Sequence, residues 1–215
     1  MASKIRKRII IVTSIAGIAG CLVDIISMLV LGSESKGYNP FKNTMSALGN
    51  ASSPVAQQMT FWWILMGILI SIFGIGLLFA FGRKKKPAQI AALLIILYGI
   101  GEGFGSALFP ADVLRTHHTW IGLIHDSLGA IGTTGITFFP LAIRKLMPEF
   151  KNVSVAVVGI GIAGIILFGI AQFWPHPHNF FVLNKGLWQR IFVFDYYFFV
   201  IAVAIRMLLP SFKNY

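Results

Sequence analysis

Acidic charge is what this chain has least of: seven Asp and Glu stand against eighteen Lys and Arg in 215 residues, and charged residues make up only 12% of the whole. Soluble domains carry about 25%. The shortage excludes both an ordinary water-facing surface and a solvated disordered chain. Cysteine occurs once, as Cys21, so no internal disulfide can form and the thiol is expected to be a small packed residue. Neither a Gly-x-Ser-x-Gly elbow nor a His-Glu-x-x-His metal sequence is present.

What the chain has instead is apolar surface. Hydrophobic residues reach 56% and the mean hydropathy is +0.79, a composition for lipid rather than water. Apolar runs recur over residues 9–31, 59–82, 87–109, 119–143, 153–174 and 187–209, each near the ~20 residues that cross a hydrocarbon core. The expected fold is therefore all-α: a polytopic membrane protein of six transmembrane helices in a single domain over residues 1–215. Lys4 to Arg8 followed by an apolar stretch and Cys21 imitates a lipoprotein signal, but the run continues to Leu31 and makes a full span.

Orientation follows from Lys and Arg. With both termini cytoplasmic, thirteen of the eighteen basic residues fall inside, and Lys36, Lys42, Arg115, Lys185 and Arg190 fall outside. That bias matches the positive-inside rule and places the protein in the cytoplasmic membrane. The net charge of +11 then reflects topology and attraction to anionic lipid, with no nucleic-acid partner implied. Trp62, Trp63, Trp120, Trp174 and Trp188 fall near the outer edge, as an aromatic belt requires.

Four of the seven acids lie within the apolar runs. At ~1.5 Å per residue, Asp24 and Glu102 stand roughly 22 Å above the cytoplasmic edge, and Asp126 and Asp195 roughly 10 to 12 Å below the outer one. In a core ~30 Å thick these depths overlap, so the four are expected to form one acidic, substrate-binding layer. Intramembrane acids cost enough to face a bundle interior or wet cavity. Each singly also fits a carboxyl hydrogen-bonded to a neighbouring helix.

None of the five histidines lies in a cytoplasmic segment. His118 and His125 share a helix face, whereas His125 and Asp126 point about 100° apart, so at most one of those two can aim into a site. His118, His125, Asp126 and Glu102 are the expected ligands for zinc or another divalent metal; His176 and His178 read as surface residues of the last outer loop. Arg115 and Arg190 are placed to bind a phosphate, and Asp112 to join the substrate site.

Packing and repetition are also written here. Gly99, Gly101, Gly103 and Gly105 form two overlapping Gly-x-x-x-Gly pairs around Glu102, and Ser127, Gly129, Ala130 and Gly132 follow Asp126. Small residues let backbones approach in lipid, so the third and fourth spans should hold the site between them. Residues 142–152 and 204–214 agree at eight of eleven positions, which suggests three helical hairpins repeated in parallel. The longest outer loop, residues 32–58, is rich in turn residues and should cap the outer face. Within it Ser46 is a hydroxyl donor or nucleophile if the loop folds back on the acids, and otherwise a turn residue.

Asn43-x-x-Ser46-x-Leu48-Gly49, Leu108-Phe109-Pro110-x-Asp112, Ile124-His125-Asp126 and Gly186-Leu187-x-x-Arg190 together resemble the recurring motifs of the family called domain of unknown function nine-nine-eight (DUF998), prokaryotic membrane proteins with about six spans. The resemblance implies fold and location, and singles out Ser46, Asp112, His125, Asp126 and Arg190. A fainter similarity is to the alkaline ceramidases and progestin/adiponectin-type receptors, from which the chain departs in having six spans rather than seven and no His-x-x-x-His pair in its last span.

Three functions remain in view. An enzyme would hydrolyse a lipid head group with metal-activated water, using His125, Asp126 and Ser46 as catalytic residues. A carrier would bind a small cation or amine, coupled to protons or cations, in the acidic layer. An assembly partner would use the polar core for packing alone. Metal-assisted lipid chemistry is the first expectation.

Overall fold

Helix is the form an apolar chain takes in hydrocarbon, because each backbone N–H and C=O must be bonded within the segment. The computed structural model describes residues 2–112, 119–174 and 179–214. It holds six long helices: α1 (Ala2–Glu34), α2 (Ala56–Phe81), α3 (Lys86–Leu108), α4 (Trp120–Leu146), α5 (Lys151–Phe173) and α6 (Lys185–Leu208). No strand occurs among the described residues. Five of the six are long and apolar enough to cross a membrane. The exception is α4, expected as the fourth span. Its His125, Asp126, Ser127, three threonines and repeated glycines dilute its apolar content, so composition alone does not make it a span.

Helix ends lie within three residues of the expected ones, except that α1 begins seven residues early and runs through the basic segment. Backbone hydrogen bonding does not stop at the hydrocarbon edge. Arg6 shows what the extension does: its guanidinium donates to the carbonyls of Phe79 and Ala80, both at 2.8 Å, placing a cation on the negative C-terminal end of α2. Gly82 then turns the chain with φ +104°, a conformation that favours glycine.

The helices form a closed ring in which each packs against the next and α6 returns to α1. Aromatic edges fill the centre. Phe73 of α2 meets Phe139 of α4 at 6.4 Å, Phe139 meets Phe199 of α6 at 6.0 Å, and Phe150 meets Phe199 at 5.7 Å. The two similar eleven-residue segments end alike, in 3-10 turns at Pro148–Phe150 and Pro210–Asn214. Arg206 of the second segment pairs with Glu149 of the first at 3.0 Å.

The loop between α1 and α2 is tied down by α6. Leu187 N donates to Phe41 O at 3.0 Å, and Gln189 Oε1 accepts from Met45 N at 2.7 Å. Met45 and Leu48 are buried beneath it. Trp63, expected in the outer belt, is buried with its ring against Gly49 and belongs to this plug.

Candidate functional site

Asp24, in the last third of α1, is 1% exposed. Its Oδ2 accepts from the Tyr197 hydroxyl of α6 at 2.6 Å, and Tyr197 Oη lies 2.6 Å from Tyr98 Oη of α3. Tyr197 has one proton and points it at the carboxylate, so Tyr98 donates to Tyr197. A three-member chain, Tyr98 to Tyr197 to Asp24, thus crosses the bundle between helices that are not all neighbours in sequence. The other carboxylate oxygen, Asp24 Oδ1, is buried and accepts no bond of good geometry among the described residues, although the Trp63 indole stands close enough to act on the carboxyl.

Glu102 lies on α3 one turn beyond Tyr98 and within electrostatic range of Asp24. It sits in a π-helical turn, Gly99–Gly105, an insertion that often marks functional positions in helices. Thr133 of α4 donates to Glu102 Oε1 at 2.7 Å, and Ser106 reaches Oε2 at 3.5 Å. The glycines divide by neighbour. A Cβ on Gly99 or Gly103 would strike the α2 backbone at Gly67, and one on Gly101 would strike the α4 backbone at Leu128 and Gly132. Each Gly-x-x-x-Gly pair therefore serves one adjoining helix, and the Glu102 side chain is carried toward α4.

The four acids differ in their surroundings. Asp24 and Glu102 share a neighbourhood; Asp126 is exposed on the outer side of α4, and Asp195 is half-buried on α6 with one shielded oxygen lacking a partner among the described residues. Depth along a helix says nothing of azimuth, which decides whether a side chain faces its neighbours. His125 and Asp126 diverge as helix geometry requires: the histidine is buried and the aspartate exposed.

The remaining motif residues pair at the end of the bundle opposite the termini. His125 Nδ1 donates to Phe109 O at 2.8 Å. Asp112 accepts from Thr119 Oγ1 at 2.6 Å and Thr119 N at 3.0 Å, while Thr119 itself caps α4 by accepting from Gly122 N. Arg190 donates from Nη1 to the carbonyls of Pro40, Asn43 and Gly186, and from Nη2 to Tyr38 Oη at 2.5 Å. Burial raises the Tyr38 phenol above its ordinary value, which the adjacent guanidinium partly offsets. Ser46 Oγ lies 3.0 Å from Thr44 Oγ1 within the loop. His118, Arg115, His176 and His178 lie outside the described residues. Among the described residues no three His, Cys, Asp or Glu side chains gather as metal ligands.

The four recurring motifs thus meet in two pairs, first with last and second with third, as parts of one fold would. A family model described as protein of unknown function (DUF998) matches residues 18–206, from within α1 to within α6. The chain belongs to the DUF998 family. It is an integral membrane protein by the apolar length of its helices. No curated protein and no solved structure matches the chain, so the likeness to alkaline ceramidases has no support from these comparisons.

In this DUF998 protein the site residues that sequence reasoning passed over are Tyr98, Tyr197 and Thr133. Their signal was present: Tyr98 is four residues from Glu102, and Tyr197 is two from Asp195. Tyrosine and threonine are common enough in spans that only the contacts single them out. Tyr196 makes a second crossing, with its Oη 2.9 Å from Thr137 Oγ1 of α4.

Proposed function

We propose that the protein is a six-span carrier of the cytoplasmic membrane, with both ends cytoplasmic, that binds a small cation or amine at Asp24 and Glu102. The observation that carries this reading is a buried carboxylate, Asp24, and a half-buried one, Glu102, within electrostatic range of each other, with no basic side chain at ion-pair distance from either among the described residues. A carboxylate within a span costs up to about 3 kcal/mol on insertion scales, the value at the centre, and one hydrogen bond to a charged group returns about 1.5–3 kcal/mol. Two acids side by side add mutual repulsion. A cation between Asp24 Oδ1 and Glu102 would offset both.

In this reading α4 is the sixth span, kept in the membrane by turning Thr133, Thr137 and His125 to the interior. Residues 1–215 form one domain, and the hairpins α1–α2, α3–α4 and α5–α6 are its three repeated units. The lipid-hydrolase alternative draws on His118, which lies outside the described residues, and on His125, Asp126 and Glu102, whose different surroundings favour the carrier.

Thermal unfolding of the detergent-purified protein against Na⁺, K⁺ and small amines tests the proposal. One of these should raise the stability, by about 2.7 kcal/mol at a hundred times its Kd, and Asp24→Asn and Glu102→Gln should each abolish the rise. Absence of stabilisation by every cation and amine tried defeats the carrier reading.

A further inference from the structure

Asp126 stands six residues into α4, roughly 9 Å along the axis from Trp120. It is exposed and has neither a hydrogen bond nor an ion pair among the described residues. An acid so placed in a span requires water, because hydrocarbon offers it no partner. The neighbouring hydroxyl does not serve it either, since Ser127 donates to Leu123 O on its own helix at 2.7 Å.

The face that Asp126 occupies leads to Glu102. Gly129 and Thr133 follow it at three and seven residues, so the three share one side of α4. Thr133 is the residue that donates to Glu102 Oε1, at 2.7 Å. Glycine leaves the way between them open: among the described residues a Cβ on Gly129 would meet only Glu102, with Oε1 at 3.5 Å and Cδ at 4.0 Å. Ala130, beside it, is small and exposed, and Glu102 is itself half-buried, whereas Asp24 is fully enclosed. Of the two acids assigned to the cation, Glu102 is therefore the one that an arriving ion meets first.

We propose that a water-filled track runs down this face of α4 from the end of the bundle opposite the termini, with Asp126 at its mouth and Gly129 leaving the width through which a small cation or amine reaches Glu102. The inference rests on the carrier reading and on α4 as a span. Asp126 draws the ion in by charge, and the missing side chain of Gly129 sets the largest ion that passes.

Cysteine chemistry tests the track without a ligand. In a Cys21→Ser background in lipid nanodiscs, Gly129→Cys is compared with Ile131→Cys, using a methanethiosulfonate that carries a trimethylammonium group. Ile131 is exposed on the opposite side of α4. The reacting thiolate needs water, so Gly129→Cys should react at least about tenfold faster than Ile131→Cys. Adding Asp126→Asn should slow the cationic reagent at position 129 about threefold, the effect in water of one charge roughly 6 Å away, and leave neutral N-ethylmaleimide unchanged. Should Gly129→Cys not fold, Ala130→Cys gives the same comparison from the next position. Equal rates on the two sides of α4, or a cationic rate at position 129 indifferent to Asp126→Asn, overturn the proposal. No bound cation enters these rates, so the track can fail while cations still stabilise the protein, and the carrier reading can fail while the track stands.

Discussion

At the scale of single residues, what decides behaviour is whether a polar group's partner is also buried. Tyr197 serves two neighbours, and Tyr197→Phe leaves Asp24 without its hydroxyl donor. The expected loss is about 1–3 kcal/mol, read by chemical unfolding in detergent. Tyr98→Phe removes only the outer link and should cost about 1 kcal/mol, so reversal of that order would show that the chain runs the other way. Asp126, being exposed, should tolerate Asn within about 0.5 kcal/mol in the same measurement. Sequence reasoning foresaw that His125 and Asp126 diverge, since 100° per residue is a property of any helix. Which of them faces inward depends on neighbours that lie outside their own segment.

At the scale of elements, α3 and its neighbours show how close approach is bought with glycine. Gly101→Ala sets a methyl against the backbone of Leu128 and Gly132, and repacking should cost about 1–3 kcal/mol. Gly169→Ala on α5 meets nothing within 4 Å, so it should be neutral or gain up to about 1 kcal/mol from helix propensity. Unfolding measurements on both variants separate packing glycines from incidental ones. The Gly-x-x-x-Gly spacing was legible and correctly placed spans three and four together, with Glu102 between them. The π turn was not, because the extra residue it accommodates leaves no mark on composition or periodicity over so short a stretch.

At the scale of the whole molecule, the first outer loop and α6 form a latch between the two ends of the ring. Tyr38 is neutral at ordinary pH. Burial raises its folded pKa more than Arg190 lowers it, so the buried neutral phenol contributes stability that is full below the ordinary phenol value of about 10 and falls as pH rises above it. Tryptic cleavage after the exposed Lys42 should therefore be slow near pH 8 and accelerate above about pH 10. Tyr38→Phe should remove most of that acceleration, and Arg190→Gln should make cleavage fast at both. Equal rates for wild type and both variants would mean that the latch does not hold the loop.

The sequence by itself determined the class of solvent, the length of the helices and their ends, because these depend on how much apolar surface is contiguous and where charge interrupts it. It determined the spacing of residues along each helix, on which Asp24 and Glu102 were expected at one level, and the two lie within electrostatic range of each other. Tertiary structure alone decided azimuth and partnership. Rotation of each helix in the ring follows from packing against residues as far apart as 24 and 197, and no local pattern encodes that. For this reason contacts alone show that Asp24 and Glu102 act on each other, that the motif residues pair at the end of the bundle opposite the termini, and that Tyr98 and Tyr197 join Asp24.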